Sequence, residues 1–189
     1  MTESIVYSGS FNPFHKGHMK MVEHLSTMFD KVYLVVSVQN PFKNQGADNF
    51  QERFENVKSV IEKSGLTNVI VEDIEKYLAP PYYTIQTLDM LSYKHPNEIL
   101  WYCVGGDCLI DFDKWKNWNE ILIEYGLYVF PRKGYNHYDA IKRLNDIADL
   151  SERMEWHLVV SQFDDIPEIS STEIREKIKN GEDVSHLLP

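Results

Sequence analysis

The chain has 189 residues, a length that suits a single domain with one buried core. With 43% hydrophobic and 25% charged residues and no low-complexity tract, its composition excludes a disordered or fibrous protein. A net charge of −10 disfavours a nucleic-acid-binding protein, because phosphate contacts need a basic surface. We therefore expect one domain over residues 1–189, with any phosphate site confined to a local cluster of basic residues.

Short apolar runs rich in β-branched residues predict strands, and longer stretches with helical spacing of apolar residues predict helices between them. The predicted strands are Ser4–Ser8, Val32–Val38, Asn68–Val71, Ile99–Val104, Leu127–Phe130 and His157–Ser161. The predicted helices are Met19–Phe29, Phe50–Lys63, Thr84–Tyr93, Trp118–Tyr125, Ala140–Leu150 and Ile174–Ile178. This alternation predicts an α/β fold with a mostly parallel central sheet and helices on both faces.

The sequence contains no apolar run near the ~20 residues that a membrane span needs, and no basic segment followed by an apolar one at its start. We therefore expect a cytoplasmic protein without a membrane partner. The two cysteines, Cys103 and Cys108, lie in apolar surroundings. They are predicted to be reduced core thiols rather than a disulfide.

The loop after the first predicted strand is the strongest candidate site, because ligands of parallel sheets bind beyond the carboxyl ends of strands. It leads into a helix, whose N terminus favours an anion, and its glycines let a ligand approach the backbone. Histidines at positions 15 and 18, with Lys16 between them, would add donors. Because the first 22 residues contain Lys16 and Lys20 but only one acid, Glu3, the loop predicts a phosphate site more than a metal site. Alternatively, the two histidines only cap the helix or lie exposed. The loop consists of Gly9, Ser10, Phe11, Asn12, Pro13, Phe14, His15, Lys16, Gly17 and His18.

A second candidate loop, Ile169–Arg175, opens the last predicted helix. Ser170 and Glu173 fit a capping box, so a helix start alone would explain those two residues. It would not explain Arg175, a cation near a helix N terminus, where the helix dipole disfavours positive charge. Together with the hydroxyls of Ser171 and Thr172, this arginine predicts a second anion site.

Both loops resemble motifs of the HxGH nucleotidyltransferase superfamily. The string His15-Lys16-Gly17-His18, preceded by Gly-Ser-Phe-Asn-Pro, is similar to the superfamily's H-x-G-H signature, and Ile169–Arg175 is similar to its second phosphate motif. Two further segments resemble bacterial nicotinate-nucleotide adenylyltransferases. Tyr82–Leu88 is similar to that family's S-Y-T-x-x-T-L, and Val104–Leu109 with its continuation to residue 122 is similar to G-x-D-x-L…F…W…I-L.

The resemblance implies a Rossmann-like fold and adenylyl transfer from ATP to nicotinate mononucleotide, a step of NAD biosynthesis that releases pyrophosphate. The implied mechanism is a direct in-line attack without a covalent intermediate. Mg²⁺ would be bound with the ATP, so no dedicated metal site of protein residues is expected. The implied ligands are ATP and nicotinate mononucleotide, and no nucleic-acid partner is expected. Whether the protein forms a homo-oligomer stays open.

The resemblance also implies roles for individual residues. The catalytic residues would be His18, which donates to the α-phosphate, and His15 and Arg175, which hold the outer phosphates. The ATP-binding residues would be Gly9, Ser10, Phe11, Asn12, His15, Gly17, His18, Asp107, Ser171, Thr172 and Arg175. The mononucleotide-binding residues would be Lys43, Thr84 and Trp115. Lys43 lies in a loop that departs from the P-P-H-K sequence of many relatives.

Two of these assignments have plainer alternatives. Asp107 follows a predicted strand, where a carboxylate can accept hydrogen bonds from a ribose or hold a cation, but it could instead cap the next helix. Trp115 and Trp118 are three residues apart and are expected on one helical face, a spacing that fits core packing. By resemblance, Trp115 alone stacks on the pyridine ring.

Rival functions differ in how well they fit. Nicotinamide mononucleotide differs from the acid by one group, and the sequence separates these two substrates poorly. A non-catalytic nucleotide-binding homologue would have kept the fold without turnover, although His15, His18 and Arg175 are all in place. Pantetheine-phosphate adenylyltransferase fits less well, because its first motif usually has Thr at the position of His15.

Overall fold

The computed structural model describes residues 1–38, 49–130, 142–143, 145–146, 158–163 and 165–189. The strands are β1 (Thr2–Gly9), β2 (Lys31–Val36), β3 (Val69–Glu72), β4 (Glu98–Gly105), β5 (Gly126–Phe130) and β6 (Leu158–Val160). The described α-helices are α1 (Lys16–Met28), α2 (Phe50–Ser64), α3 (Thr84–Lys94), α4 (Trp118–Glu124) and α5 (Ser171–Lys179). Short 3₁₀ helices cover Ile74–Tyr77, Gly106–Lys114 and Ser185–Leu187.

The six strands form one sheet in the order β3-β2-β1-β4-β5-β6, and every neighbouring pair is parallel. The predicted α/β fold with a parallel sheet is therefore confirmed. Strand order reverses between β1 and β4, which pair with Tyr7 opposite Cys103. In sheets of this kind the crevice outside the carboxyl ends of the two central strands is the usual ligand site.

Each face of the sheet is covered by helices, because side chains along a strand alternate between the two faces. On one face, Val6 and Val35 lie in an apolar cluster with residues of α3 and α4. On the other face, Ile5 and Leu34 lie in a cluster with residues of α1 and α2. Burial of this apolar surface on both sides is the main force that stabilises the sheet.

The cysteines are both thiols, as predicted. Cys103 is buried in the cluster beneath α1 and α2, whereas Cys108 packs partly buried against the cluster on the opposite face. No helix in the described ranges has the length and apolar character to cross a membrane.

Element boundaries differ from the predictions where local contacts decide them. Helix α1 begins at Lys16, three residues before the predicted start at Met19. The 3₁₀ helices at Ile74–Tyr77 and Gly106–Lys114 were not predicted, because they are too short or too irregular to show an apolar period. The predicted helix Ala140–Leu150 lies mostly outside the described residues, as does His157 at the start of the last predicted strand.

Candidate active site

Two histidines form the centre of the candidate site, where the loop after β1 enters α1. His15 is the N-cap of the helix, and its Nδ1 accepts the backbone N–H of His18 at 3.3 Å. In return, Nδ1 of His18 accepts the backbone N–H of His15 at 3.3 Å. Because both Nδ1 atoms act as acceptors, the proton of each neutral imidazole lies on Nε2. Each ring therefore presents an Nε2–H donor.

Gly17 sits between the two histidines, and its lack of a side chain leaves room for the first ring. A Cβ at Gly17 would lie 3.0 Å from two ring atoms of His15, closer than ordinary van der Waals contact. His15 is only 2% exposed, so its ring has little space to move away. The glycine in the signature therefore serves the packing of the histidine pair.

Two phenylalanine rings pack against His18. The ring of Phe14 stacks on His18 with centroids 5.5 Å apart, and the ring of Phe11 meets His18 edge-on at 5.0 Å. Phe11 adopts a positive φ of 46°, and its ring covers Gly9, where a Cβ would lie 2.8 Å from it. The loop is thus a packed structure with fixed ring positions, which suits a site that must hold a ligand in one orientation.

The second motif docks onto the first. Nη1 of Arg175 donates to the carbonyl oxygen of Asn12 at 2.6 Å, and Oγ of Ser171 donates to the carbonyl oxygen of Pro13 at 3.0 Å. Nη2 of Arg175 donates to Oγ1 of Thr172 at 3.0 Å. The N terminus of α5 therefore lies against the loop that leads into α1, so the two loops that were predicted to bind phosphate are adjacent.

The alternative that these residues only cap their helices is supported in part. His15 does cap α1, and Ser170 caps α5 through a hydrogen bond from the Glu173 backbone N–H to its Oγ at 3.1 Å. The Glu173 carboxylate, in contrast, pairs with Lys177 at 3.2 Å. Capping accounts for Ser170 but leaves the contact between Arg175 and the first loop unexplained.

Across the crevice, β4 ends at Gly105 and continues into the 3₁₀ helix that carries Asp107. Gly105 is the N-cap residue of that helix, and Asp107 lies in its first turn. Asp107 is exposed in the first turn, just beyond the carboxyl end of a central strand. Asp107 therefore lies at the edge of the sheet where ligands of parallel sheets usually bind.

The two tryptophans do not share a helical face, so this prediction was wrong. Trp115 ends the 3₁₀ helix with an extended backbone, and Asn117, with a φ of 53°, separates it from α4, which begins at Trp118. An extended residue followed by a left-handed one interrupts helical spacing. Trp115 lies half-buried against Phe112, with centroids 5.2 Å apart, and against Tyr102 at 6.2 Å.

Tyr102 was missed by the sequence analysis, although it contacts both described residues of the predicted mononucleotide site. Its phenol forms a hydrogen bond with the side chain of Thr84, the first residue of α3, and its ring meets Trp115 edge-on. Burial raises the pKa of Tyr102, so its hydroxyl stays protonated at neutral pH. In the sequence this tyrosine is one aromatic residue within an apolar strand, which gives no functional signal. Lys43, the third predicted residue of this group, lies outside the described residues.

Arg53 is a second residue near the candidate site that was not among the predicted site residues. It lies buried on α2, and its Nη1 donates to the carbonyl oxygens of Ser10 at 2.6 Å and Ser37 at 3.0 Å. The guanidinium therefore joins the ends of β1 and β2. A signal was present in the sequence, because Arg53 occupies the same helical stripe as the buried residues Val57 and Ile61.

Glu75 is a third residue near the candidate site that was not predicted. It lies in the 3₁₀ helix after β3, and it is only 4% exposed. Its Oε2 accepts the backbone N–H of Val38 at 2.8 Å, and its Oε1 accepts from Oγ1 of Thr87 at 3.4 Å. Burial raises the pKa of Glu75 to about 7, although these two hydrogen bonds and the charge of Arg53 act in the opposite direction.

Comparisons with known proteins agree on one family. The model of the cytidylyltransferase-like family matches residues 6–177. A Clostridium tetani protein named "Probable nicotinate-nucleotide adenylyltransferase" is 33% identical over 100% of this chain and 93% of its own length. A Bacteroides fragilis protein of the same name is 35% identical over 99% of this chain and 87% of its own length.

A solved structure shares the fold. Plasmodium falciparum nicotinic acid mononucleotide adenylyltransferase, solved as a complex with NaAD, superposes with a TM-score of 0.77 at 18% identity. The superposition covers 98% of this chain and 88% of that chain. The two chains therefore share a Rossmann-like fold.

Proposed function

Because the chain belongs to the nicotinate-nucleotide adenylyltransferase family, we propose that it transfers the adenylyl group of ATP to nicotinate mononucleotide. The products are nicotinate adenine dinucleotide and pyrophosphate, in a step of NAD biosynthesis. The observation that carries this proposal is the docking of Arg175 and Ser171 onto the loop that holds His15 and His18. That contact gathers donors from two distant segments at the end of a central strand.

The proposed reaction needs no activated side chain. The 5′-phosphate of the mononucleotide attacks the α-phosphorus of ATP, a new P–O bond forms, and the bond to the departing pyrophosphate breaks. The attacking phosphate is already ionised near pH 7, so no general base is required. Catalysis then consists of in-line positioning and stabilisation of the charge on the reacting and departing phosphates.

The phosphate-binding roles follow from the donors at the site. We assign Nε2–H of His18 to the α-phosphate, where charge builds up in the transition state. His15 and Arg175 are assigned to the outer phosphates, and Ser171 and Thr172 add hydroxyl or backbone donors at the N terminus of α5. The proton position that follows from the Nδ1 contacts supports this assignment, because it makes both imidazoles donors without requiring that they be charged.

The mononucleotide is assigned to the far side of the crevice. We infer that the ring of Trp115 stacks on the pyridine and that backbone N–H groups near Trp115, together with those around Thr84 at the start of α3, hold the carboxylate. A helix N terminus offers such donors to an anion. Lys43 is assigned to the mononucleotide phosphate on the family motif alone.

Magnesium fits this site as an ion carried by the nucleotide. Within the described ranges, no group of three or more His, Cys, Asp or Glu side chains could hold a metal ion. Phosphate oxygens and water molecules are the ligands that Mg²⁺ prefers, so the triphosphate itself would hold most of its coordination shell. When bound, the ion neutralises part of the charge of the triphosphate.

Pyrophosphate release by the purified protein tests the function. The protein is mixed with Mg·ATP and, in parallel reactions, with nicotinate mononucleotide or nicotinamide mononucleotide. Release with the acid substrate supports the proposal, and a preference for the amide assigns the protein to the nicotinamide branch. If neither substrate gives pyrophosphate release, adenylyl transfer is contradicted and the non-catalytic nucleotide-binding alternative is favoured.

A further inference from the structure

The backbone of Val38, just beyond the end of β2, is held from both sides by buried charged groups. Its N–H donates to Oε2 of Glu75 at 2.8 Å, and its carbonyl oxygen accepts from Nη2 of Arg53 at 3.4 Å. The same guanidinium reaches Ser10 in the histidine loop at 2.6 Å. One residue pair therefore connects the loop after β1 with the end of β2.

The network continues to the opposite side of the crevice. Oε1 of Glu75 accepts from Thr87, which lies on α3 three residues beyond Thr84. The carboxylate also lies close enough to Tyr102 for its charge to contribute to the raised pKa of that phenol. The hydrogen bonds thus run from Ser10, on the ATP side, to the first turn of α3, on the mononucleotide side.

We propose that Arg53 and Glu75 are positioning residues that fix the loop carrying the histidines relative to the start of α3, and so set the separation of the two substrates. This inference rests on the proposed adenylyl transfer. In-line attack is sensitive to distance, and a displacement of about 1 Å can lower a rate by roughly 10²-fold. Neither residue needs to touch a substrate for this effect.

The charge of Glu75 argues against a purely structural role. A neutral glutamine of the same shape could accept the Val38 N–H through its one oxygen and donate to Oγ1 of Thr87 through its amide NH2, without the cost of burying a charge. The groups that face the carboxylate are Arg53 from α2, Thr87 from α3, Tyr102 from β4 and the Val38 N–H. Of these, Arg53 is the one cation, so ionisation of Glu75 strengthens the hold on Val38 from both sides.

The variant Glu75→Gln tests the inference through its pH dependence. Since the carboxyl titrates near neutral pH, wild type and variant should behave alike at pH 6 and differ at pH 8. We expect the ratio of kcat/KM, wild type over variant, to be near one at pH 6 and about tenfold at pH 8. Titration of the substrate phosphates affects both proteins equally and cancels in the ratio.

Thermal unfolding of the same variant separates positioning from stability. At pH 8 the variant lacks the buried charge, so its Tm should be higher than that of wild type while its kcat/KM is lower. A structural role alone would move both quantities in the same direction. The matched control Glu72→Gln removes a carboxylate that pairs with Lys94 at 3.4 Å outside the network, and its ratio should stay near one at both pH values.

A double-mutant cycle with Arg53→Lys tests whether the pair acts as a unit. If both residues act through Val38, the double variant should lose no more activity than the worse single variant. A pH-independent ratio for Glu75→Gln, or additive losses in the cycle, overturns the inference. An inactive wild type contradicts the proposed function instead. In that case the ATP affinities of wild type and Glu75→Gln, measured by calorimetry at pH 6 and pH 8, still test Arg53 and Glu75, because binding needs no turnover.

Discussion

The imidazoles of His15 and His18 stack face to face with ring centroids 3.6 Å apart, while each Nδ1 accepts the backbone N–H of the other residue. The two residues therefore form one unit that starts α1. Helix capping and phosphate binding are compatible in this arrangement, because capping uses Nδ1 and fixes the proton on Nε2. A change in either residue alters the helix start and the donor set together.

Replacement of His18 by Ala should lower kcat by about 10²-fold or more, because it removes a donor to the charge that develops at the α-phosphate. The loss of one cap should also lower the free energy of unfolding by about 1 kcal/mol. Steady-state kinetics and urea unfolding on the same preparation measure the two effects. Near-normal turnover in a folded variant would contradict the catalytic role. The control His186→Ala removes an exposed imidazole, and turnover should change by less than about twofold.

Replacement of Arg175 by Lys should raise the KM for ATP by about tenfold, because an ammonium cannot reproduce a guanidinium that bonds Asn12 and Thr172 simultaneously. The change is measured by varying ATP at saturating mononucleotide. Lys177→Ala serves as the control on the same helix, since it breaks a partly exposed pair with Glu173 that contributes little. If the two variants show the same KM for ATP, Arg175 has no specific role.

Replacement of Trp115 by Ala should raise the KM for nicotinate mononucleotide by about tenfold, as expected for loss of one stacked ring, and leave the KM for ATP unchanged. The two KM values come from separate titrations of each substrate. Trp118→Phe, at the neighbouring tryptophan in α4, should leave both values near those of wild type. An equal rise in both KM values after Trp115→Ala would point to general disruption instead of stacking.

The stability of the protein should fall as the pH rises through about 7, in part because of Glu75. Its folded pKa of about 7 lies above its ordinary value of 4.5, so the folded state holds a proton that the unfolded chain has released. The stabilising contribution is complete below pH 4.5 and is lost as the carboxyl ionises. Between pH 6 and 8 the loss relative to Glu75→Gln should be on the order of 1 kcal/mol in urea unfolding. If the free energy of unfolding depends on pH in the same way for wild type and for Glu75→Gln, the pKa of Glu75 is not raised.

Replacement of Gly126 by Ala should lower the free energy of unfolding by about 1–3 kcal/mol, because the core there is already filled. The new Cβ would lie 2.3 Å from the ring of Trp101 on the neighbouring strand. Urea or thermal unfolding measures the effect. Adding Trp101→Leu to the variant should recover part of the loss, and the absence of any recovery would place the strain elsewhere.

Much of the fold was predictable because buried strands and helices have recognisable patterns of apolar residues in the sequence. Strand β2 was predicted from its continuous apolar run, and its residues from Val32 to Val36 are buried on both faces. The start of α1 was not predictable, since it depends on contacts between two polar rings. The 3₁₀ helix that precedes Trp115 was also missed, because an irregular segment has no apolar period to detect.

The loops of the candidate site were also predictable, since their residues form unusual local strings after strands. Tyr102, Arg53 and Glu75 were not, because their roles arise from contacts between residues far apart in sequence. Arg53, for example, binds a carbonyl oxygen 43 positions earlier in the chain. A local pattern cannot contain that information, apart from the presence of a charge on a buried helical stripe.

The hydrogen bond from Arg175 to the carbonyl oxygen of Asn12 joins residues 163 positions apart. Synthesis proceeds from the N terminus, so the histidine loop and strands β1 to β5 leave the ribosome well before α5 does. Until residues 171–175 emerge, the loop lacks the donors that hold the carbonyl oxygens of Asn12 and Pro13. A nascent chain therefore completes the contacts of the candidate site only after residues 171–175 have been synthesised.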